Sequence, residues 1–401
     1  MRVSTQQFYF QNSQQLSSLQ SEVNEQVKYL SSGKRVLTAK DDAVTYGTLA
    51  GYKDSLANIE KYQRNITLAE NRNSLQDRTF ANAEGLMQTF KQLLVQANNG
   101  SLSGQDLKAL GAMGSNTQEQ MLDIANTKDE TGGYIFAGYQ IDKRPFELSA
   151  DNTVNYFGDN GIRELQISKN VMVETNQSGD DAFQKVGNVT GDFSPQYNSN
   201  TSGIKVNRAI IVDRGAYDTV TNPPNYNFNF SSPTDLTVTD SLGATVYTTA
   251  AYAPGQTVAF NGVEVQIDGN PLPGDDFDLA PEENISIFQT IKEAIDWMNT
   301  GTNPADPIVH SLKYDELLLQ VNNALNHITT RQSDAGVRMQ LIESQENNHL
   351  DNELIIASSR SNLEDLDFAK AIASFEQSQT ALQASQQSFI QIKDLSLFNY
   401  I

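Results

Sequence analysis

The stretch FAKAIASFEQSQTALQASQQSFIQI, residues 368–392, constrains how the rest of the chain folds. It contains no proline or glycine, and its large apolar residues recur at steps of three and four or their sums. These residues are Phe368, Ile372, Phe375, Leu382, Phe389 and Ile392, with Gln379 and Gln386 at the intervening seam positions. The spacing predicts a long helix with one narrow apolar seam, and such a helix needs partner helices because it cannot bury the seam alone.

The opposite end of the chain supplies a matching helix. Its seam residues also step by three and four, and they are Tyr9, Asn12, Leu16, Leu19, Val23, Gln26 and Leu30. We therefore predict that the two ends pair as a coiled coil and that the apolar residues of both seams form an assembly surface. Gln and Asn dilute both seams, which favours stabilisation by neighbouring copies over a closed monomeric bundle. The ending LSLFNYI, residues 395–401, is apolar where a free tail is normally polar, so Leu395 and Phe398 join the predicted surface.

Helical periodicity continues after the first helix. Gly33 is predicted to end that helix and Asp41 or Asp42 to cap a second one, which runs to Ala97. A periodic pattern of about 50 residues exceeds the usual globular helix of about 8 to 20 residues and indicates a coiled coil or an extended bundle. A third helix is predicted over residues 107–128, although two glycines at positions 111 and 114 weaken its propensity.

The period changes at Thr131. The run GGYIFAGY, residues 132–139, predicts a strand or hairpin between glycines. Between residues 151 and 281 turn residues separate short alternating runs, which predict strands at 171–174, 204–212, 236–239 and 263–267. Helical periodicity returns at Ile285 and, after a break at 301–307, continues into the terminal stretch.

The sequence thus predicts a mainly α fold with a β-rich inserted domain and with long N- and C-terminal helices paired in a coiled-coil or bundle rod. We expect a terminal assembly domain from residues 1–45 and 346–401. We expect a helical rod domain with a β-hairpin edge from residues 46–150 and 282–345, and a β-rich outer domain from residues 151–281.

Composition excludes several classes of partner and site. The 28 Lys and Arg residues face 49 Asp and Glu residues, and the resulting net charge of −21 has the wrong sign for binding nucleic acid or anionic lipid. The chain contains no cysteine, which excludes disulfides, thiolate metal sites and a cysteine nucleophile. We also expect no membrane span and no cleaved secretory signal, because no long apolar run occurs and the N-terminal segment is rich in Gln, Ser and Asn.

No motif indicates catalysis, a metal site or a cofactor site. His310, His327 and His349 stand apart, and none has the H-E-x-x-H spacing of a zinc helix. The carboxylates of residues 274–278 lack the spacing of a calcium loop, so a solvated turn is the better interpretation. We therefore expect a protein that is not an enzyme and that has no cofactor.

Several motifs resemble the flagellin family. They are MRVSTQQ at 1–7, LSSGKR at 30–35 with DDA at 41–43, and SNLEDLDFA at 361–369. Three more stretches resemble the members of that family that join the flagellar hook to the filament, and these are GYIFAGY at 133–139, GNPLPGDDF at 269–277 and LSLFNYI at 395–401. The resemblance covers both helical arms and the borders of the β-rich insert.

The resemblance implies a structural protein of the bacterial flagellum that serves motility and lies outside the cell at the hook-filament junction. It also implies secretion through the flagellar type III export channel on an uncleaved N-terminal signal. The partners it implies are the first hook-filament junction protein, flagellin, further copies of the chain in a ring or helical layer, and a cytoplasmic export chaperone that holds the C-terminal helix. Head-to-tail contacts that do not close generate such helical assemblies.

Two other functions compete with this interpretation. A filament flagellin is structural in the same way but polymerises without limit, and its tail resembles a plain Leu-Leu ending. A secreted carbohydrate-binding protein or an enzyme would instead use the β-rich insert, where Tyr217, Tyr226, Phe228 and Phe230 offer aromatic side chains for a sugar site.

Overall fold

Seven α-helices carry most of the secondary structure in the part of the chain that the structure describes. The computed structural model describes the backbone of residues 2–218, 225–301, 304 and 306–394, and the side chains of those residues except 2–6, 218 and 392–394. The helices are α1 (Arg2–Ser32), α2 (Ala43–Ala97), α3 (Gly104–Ala125), α4 (Arg214–Asp218), α5 (Ile287–Asn299), α6 (Pro307–Glu364) and α7 (Phe368–Asp394). The predicted fold class, mainly α with long terminal helices around a β-rich insert, is confirmed.

The chain divides into two compact units. The terminal unit comprises Met1–Arg64 and Ser344–Ile401, and the central unit comprises Asn65–Glu343. Both boundaries fall inside long helices, α2 and α6. The division into three domains made from the sequence stays a prediction.

The first break between helices is built as the sequence predicts. Gly33 follows the end of α1 with a φ of +66°, a left-handed conformation that suits glycine. The Asp42 carboxylate accepts hydrogen bonds from the backbone N–H groups of Val44 and Thr45, at 3.1 and 3.0 Å, and so caps α2. Both predictions are confirmed.

The glycines of α3 allow this helix to approach α5 closely. A Cβ atom at Gly111 would lie 2.6 Å from the Asn299 Oδ1, and one at Gly114 would lie 2.9 Å from the Ile295 Cγ1. Ser103 and Asp106 form a reciprocal capping box at the start of α3. The glycines that lower the helix propensity of this segment are therefore required by its packing.

The helical core of the central unit is centred on aromatic side chains. Phe80, Phe136, Phe183, Phe146 and Phe288 are buried and follow one another at ring-centroid distances between 5.1 and 5.5 Å. Residues of α2, α3, α5 and α6 surround them. This core joins distant parts of the chain, because its residues extend from position 80 to position 328.

The strands lie between α3 and α5. They are β1 (Phe146–Leu148), β2 (Val154–Tyr156), β3 (Glu164–Ser168), β4 (Val171–Glu174), β5 (Val186–Gly187), β6 (Phe193–Ser199), β7 (Lys205–Ile211), β8 (Tyr226–Phe230), β9 (Leu236–Thr239), β10 (Thr245–Thr249), β11 (Thr257–Phe260), β12 (Val263–Asp268), β13 (Asp276–Pro281) and β14 (Asn284–Ile285). A five-stranded sheet in the order β10-β9-β8-β13-β6 and a three-stranded sheet in the order β11-β12-β7 share one buried core. All their strand pairs are antiparallel.

The predicted strand or hairpin at residues 132–139 is absent as a regular strand. Turns replace it, and Tyr134 alone forms an isolated antiparallel bridge, with Lys128. The consecutive residues Ile135, Phe136 and Ala137 are all buried, whereas a strand would turn every second side chain to the opposite face. The run is apolar because it enters the aromatic core and not because it belongs to a sheet.

None of the helices in the described part of the chain combines the length and the apolar character that a membrane crossing requires.

Candidate assembly surface

Helices α1 and α7 pack against each other in antiparallel orientation in the terminal unit. Tyr9 and Phe389 make an edge-to-face contact with ring centroids 5.9 Å apart, and the Ser378 hydroxyl donates to the Glu22 carboxylate at 3.3 Å. Near the other end, the Phe368 ring lies 3.5 Å from the position of a Cβ atom on Gly33. The predicted pairing of the two terminal helices is therefore present within one chain.

The inner edge of α7 alternates large and small side chains. Phe375, Leu382 and Phe389 occupy one position of the heptad, and Ala371, Ser378 and Ser385 occupy the other. Phe368 and Ile372 were predicted on this edge, but they are 52% and 49% exposed. The prediction was based on large apolar residues alone. It therefore did not include the small residues, which allow α1 to pack closely against α7.

The remaining predicted residues divide into two groups. The α1 residues Leu16, Leu19, Val23 and Leu30 are half-buried and recur along one face of that helix. The side chain of Ile392 and residues Leu395 and Phe398 lie outside what the structure describes. The role of all these residues in assembly stays a prediction.

The breaks before α2 and before α7 are joined by backbone hydrogen bonds. Lys34 and Asp365 form an antiparallel bridge, in which the Arg35 N–H donates to the Glu364 carbonyl at 2.7 Å and the Leu366 N–H donates to the Gly33 carbonyl at 3.0 Å. The buried Glu364 carboxylate also pairs with the Lys34 ammonium. Sequence reasoning treated these two motifs separately, although the Asp residues around position 366 are a signal for a helix break.

Carboxylates also organise the turn between α1 and α2. The Asp41 carboxylate accepts hydrogen bonds from the N–H groups of Leu37 and Thr38, both at 2.9 Å. The bond from Thr38, followed by the one from Leu37, lowers the pKa of Asp41. Burial, followed by a hydrogen bond to Asp41, raises the pKa of Tyr29 to about 12. Asp41 and Tyr29 therefore hold the turn in place and are not poised for proton transfer.

The terminal unit exposes more large apolar side chains than it buries, and many of the others are half-buried. Among its described residues five apolar side chains are buried, namely Val36, Leu49, Ile59, Ala371 and Leu382. Eleven large ones are exposed, namely Phe8, Phe10, Val27, Val44, Tyr46, Leu350, Leu354, Ile355, Phe368, Ile372 and Ile390. Because burying each would contribute about 1.5 to 3 kcal/mol, this distribution favours association with other chains.

The aromatic residues considered for a sugar site form the core of the β-rich region. Tyr226, Phe228 and Phe230 are fully buried, and Tyr217 packs edge-to-face on Phe193 at 5.9 Å. They provide no exposed platform on which a sugar could stack. The interpretation of these residues as a carbohydrate site is therefore wrong.

The acidic turn at 274–278 serves the fold. The buried Asp275 carboxylate accepts hydrogen bonds from the Leu272 and Thr201 N–H groups, at 2.7 and 2.8 Å, and from the Ser202 hydroxyl. Burial alone would raise the pKa of Asp275, but these hydrogen bonds outweigh it and lower the pKa. Within the described residues no group of three or more His, Asp or Glu side chains is placed to hold a metal ion.

Comparison with known proteins connects this architecture to flagella. The family model of the bacterial flagellin N-terminal helical region matches residues 3–141, and that of the C-terminal helical region matches residues 318–401. Flagellar hook-associated protein 3 of Escherichia coli (strain K12) is 24% identical over 399 residues, which is 99% of each chain. The counterpart from Salmonella typhimurium is 22% identical over 398 residues, again 99% of each chain.

A solved structure extends the likeness to the fold. The crystal structure of flagellar hook-associated protein-3 from Legionella pneumophila is 28% identical and superimposes with a TM-score of 0.66. The match covers 78% of this chain and 98% of that one. The two flagellin helical regions together span more than half of the sequence and the curated relatives match nearly all of it, so the chain belongs to the flagellin family.

Proposed function

We propose that this chain is a structural component of the bacterial flagellum and forms the junction layer that joins the hook to the flagellin filament. The similarity to hook-associated protein 3 along nearly the whole chain supports the junction position. A filament flagellin is the alternative, and the similarity of 24% over 399 residues to a hook-associated protein favours the junction.

The observation that carries the proposal is the unequal burial in the terminal unit. Eleven large apolar side chains are exposed there, against five apolar residues that are buried, among the described residues. The pair of α1 and α7 covers only one edge of each helix, so their outer faces remain available. Neighbouring chains that cover these faces would remove apolar surface from water, which is the main driving force for association.

The partners follow from the junction position. The first hook-filament junction protein lies below the layer, flagellin lies above it, and further copies of the chain lie beside it. Leu16, Leu19, Val23 and Leu30 of α1 and the large apolar residues of 368–398 contribute to these contacts. A cytoplasmic chaperone covers the C-terminal helix before the chain leaves through the flagellar type III channel without cleavage of a signal.

The protein acts by assembly and not by catalysis. The buried acids Asp275 and Glu364 are engaged in hydrogen bonds or ion pairs that hold turns together. The β-rich region, residues 151–281, forms the outer domain on a helical domain built from 46–150 and 282–345. Its compact core between Phe193 and Leu279 is independent of the terminal helices.

The test is to delete the gene for this chain in its host and to examine the cells by electron microscopy. We expect intact hooks, flagellin released into the medium and no attached filaments, and expression of the full chain from a plasmid should restore the filaments. Antibody against the chain should label a narrow zone between hook and filament. Label along the whole filament would identify a filament flagellin, and normal filaments in the deletion strain would exclude a junction role.

A further inference from the structure

A pocket of about 180 Å³ opens in the terminal unit beside the turn that follows α1. Val36, Leu37 and Leu49 give it an apolar floor, and Val36 and Leu49 are buried. Lys34, Tyr46 and Lys53 stand around its opening, and Tyr46 is 42% exposed. The pocket therefore offers an apolar base with cations at its rim.

The rim is positive although the whole chain carries a net charge of −21. Residues 34–53 contain the four cations Lys34, Arg35, Lys40 and Lys53 and the two carboxylates Asp41 and Asp42. Both carboxylates accept hydrogen bonds from backbone N–H groups of their own turn. Glu364, which also borders the pocket, is buried and paired with Lys34. Lys53 is exposed and is followed in the sequence by Asp54, so the pocket lining itself carries the two cations Lys34 and Lys53 against the single carboxylate of Glu364.

A surface of opposite character lies on α6 in the same unit. Leu350, Leu354 and Ile355 are 51%, 71% and 62% exposed, and Asp351 is exposed between them. Positions 350 and 354, and 351 and 355, are neighbours at a spacing of four along a helix face. The segment 346–355 contains three acids and no Lys or Arg. We call residues 346–355 the acidic stripe.

A chain cannot place its acidic stripe into its own pocket. Within one chain the acidic stripe packs beside Tyr62 and Gln63 of α2, away from the pocket. Tyr62 stacks on His349 with ring centroids 5.5 Å apart, and the Gln63 amide donates to the Glu353 carboxylate at 3.1 Å. Nine residues of helix separate Tyr62 from Lys53, which is about 14 Å at a rise of 1.5 Å per residue. A second copy of the chain is therefore the occupant that fits.

We propose that the acidic stripe of one copy docks into the Lys34–Lys53 pocket of the next copy, with Leu354 over the apolar floor and Asp351 towards Lys53. This contact rests on the proposed function, since it supplies the lateral contact between copies that a junction layer needs. The two surfaces are different, so the contact is head-to-tail and repeats from copy to copy, as rings and helical layers require. Two copies of the chain carry the same net charge and repel each other in most orientations. The opposite charges of the acidic stripe and the pocket rim favour this orientation over the others.

The contact can be tested by cross-linking because the chain contains no cysteine of its own. Cells without the native chain would co-express two full-length variants, Ala50→Cys at the pocket and Leu354→Cys on the stripe, and their isolated flagella would be oxidised. We expect a cross-linked dimer that contains one copy of each variant. Leu242→Cys, at a side chain that is 81% exposed in the central unit, replaces Ala50→Cys in the matched control and should give no such dimer.

A charge exchange tests the same contact independently of cysteine geometry. Lys53→Glu alone and Asp351→Lys alone should each lose attached filaments, and the chain that carries both changes should regain them. If the cysteine variants do not enter flagella, the charge exchange alone decides whether the proposed contact exists. Normal filaments with both single changes, or a double variant no better than the singles, would overturn the contact.

Failure of the contact is distinguishable from failure of the proposed function. Variants that enter the junction zone but cross-link no more than the Leu242→Cys control overturn the docking and leave the junction role intact. A wild-type chain that antibody does not detect at the junction overturns the proposed function itself.

Discussion

Two glycines in helices of the central unit show that the same substitution, glycine to alanine, can have opposite effects on stability. A Cβ atom on Gly114 of α3 would lie 2.9 Å from the Ile295 Cγ1 and 3.3 Å from the Phe90 Cε2, whereas one on Gly85 of α2 would meet nothing within 4 Å. Alanine improves helix propensity by about 1 kcal/mol at either site. Only at Gly114 does the added methyl group enter a filled space.

We therefore predict opposite signs for the two alanine substitutions. Gly114→Ala should lower the free energy of unfolding by about 1 to 3 kcal/mol because overpacking outweighs propensity. Gly85→Ala should raise it by about 0.5 to 1 kcal/mol. Urea unfolding followed by circular dichroism measures both, and a stabilising Gly114→Ala would show that α3 and α5 are less closely packed than described.

The Glu364 carboxylate gives a second prediction for a single residue. Its side chain is 7% exposed and pairs with Lys34, and Arg360 approaches it at 3.6 Å. Glu364→Gln should weaken the bridge between the two helix breaks by about 1 kcal/mol, a value discounted because Lys34 is 43% exposed. Hydrogen exchange at residues 33–36 and 364–367 should become faster.

The matched control is Glu60→Gln. Glu60 and Arg64 form an ion pair in which the two side chains are 72% and 65% exposed, so loss of this pair should change the stability little. Equal effects of the two substitutions on hydrogen exchange would mean that the buried position of Glu364 gives it no special weight.

Helix α7 shows how far a seam can be predicted from its sequence. The spacing of Phe375, Leu382 and Phe389 by seven residues correctly identified one position of the heptad. Phe368 and Ile372 were assigned to the same seam because they are apolar, yet the structure uses Ala371, Ser378 and Ser385. Close approach of two helices selects small side chains, and periodicity of large residues carries no information about them.

The sheets show the same limit of local signals. The predicted strands 171–174 and 236–239 coincide with β4 and β9, since alternating β-branched runs between turn residues are a local property. Residues 132–139 have a similar composition but form turns because a core built from distant segments takes up Ile135 and Phe136. The hydrogen-bonded bridge between residues 34 and 365 likewise cannot be predicted from a local pattern, because the two residues are far apart in the sequence.

The contact between α6 and a short π-helical turn, Asp180–Gln184, gives a prediction for pH dependence. The Nε2 atom of His327 lies 2.9 Å from the Asp181 carbonyl oxygen, and Asp181 and Arg331 face the ring. Burial lowers the pKa of His327, so the unfolded chain, which titrates near 6.5, binds the proton more readily than the folded one. The free energy of unfolding should therefore fall as the pH drops below about 6.5.

The His327→Gln variant isolates this contribution. The glutamine amide can still donate to the Asp181 carbonyl but does not titrate, so the decrease in stability between about pH 7 and pH 5 should be smaller than in the wild type. Urea unfolding at the two pH values measures the difference. Identical pH slopes for both proteins would exclude His327 as the cause.

The two units of the molecule differ in how much of their apolar surface they bury within one chain. The central unit contains two large buried cores, whereas the terminal unit exposes eleven large apolar side chains and buries five apolar residues among those described. Each ordered residue costs about 1 to 2 kcal/mol of backbone entropy, which a half-covered helix pair offsets poorly. In the free chain brief proteolysis should trim residues near 1–45 and 346–401 and leave the middle intact. A full-length chain that resists the protease would contradict this expectation.

The last prediction separates assembly from stability in the whole molecule. Leu382 is 9% exposed, and the Phe389 ring lies 5.9 Å from the Tyr9 ring, so both side chains hold the pair of α1 and α7 together. Changing both to Ser removes burial worth about 1.5 to 3 kcal/mol at Leu382 and less at Phe389, which is half-buried. The cores of the central unit contain neither residue, so its melting temperature in calorimetry should stay unchanged.

Cells that carry Leu382→Ser with Phe389→Ser should build hooks and release flagellin but retain no filaments. Leu242→Ser, at a side chain that is 81% exposed in the central unit, removes an apolar residue of similar size and should leave the filaments in place. Normal filaments with the double change would mean that the helix pair is not part of the assembly surface. A melting temperature lowered by many degrees would instead mean that the terminal helices support the central cores, and the loss of filaments would then reflect misfolding.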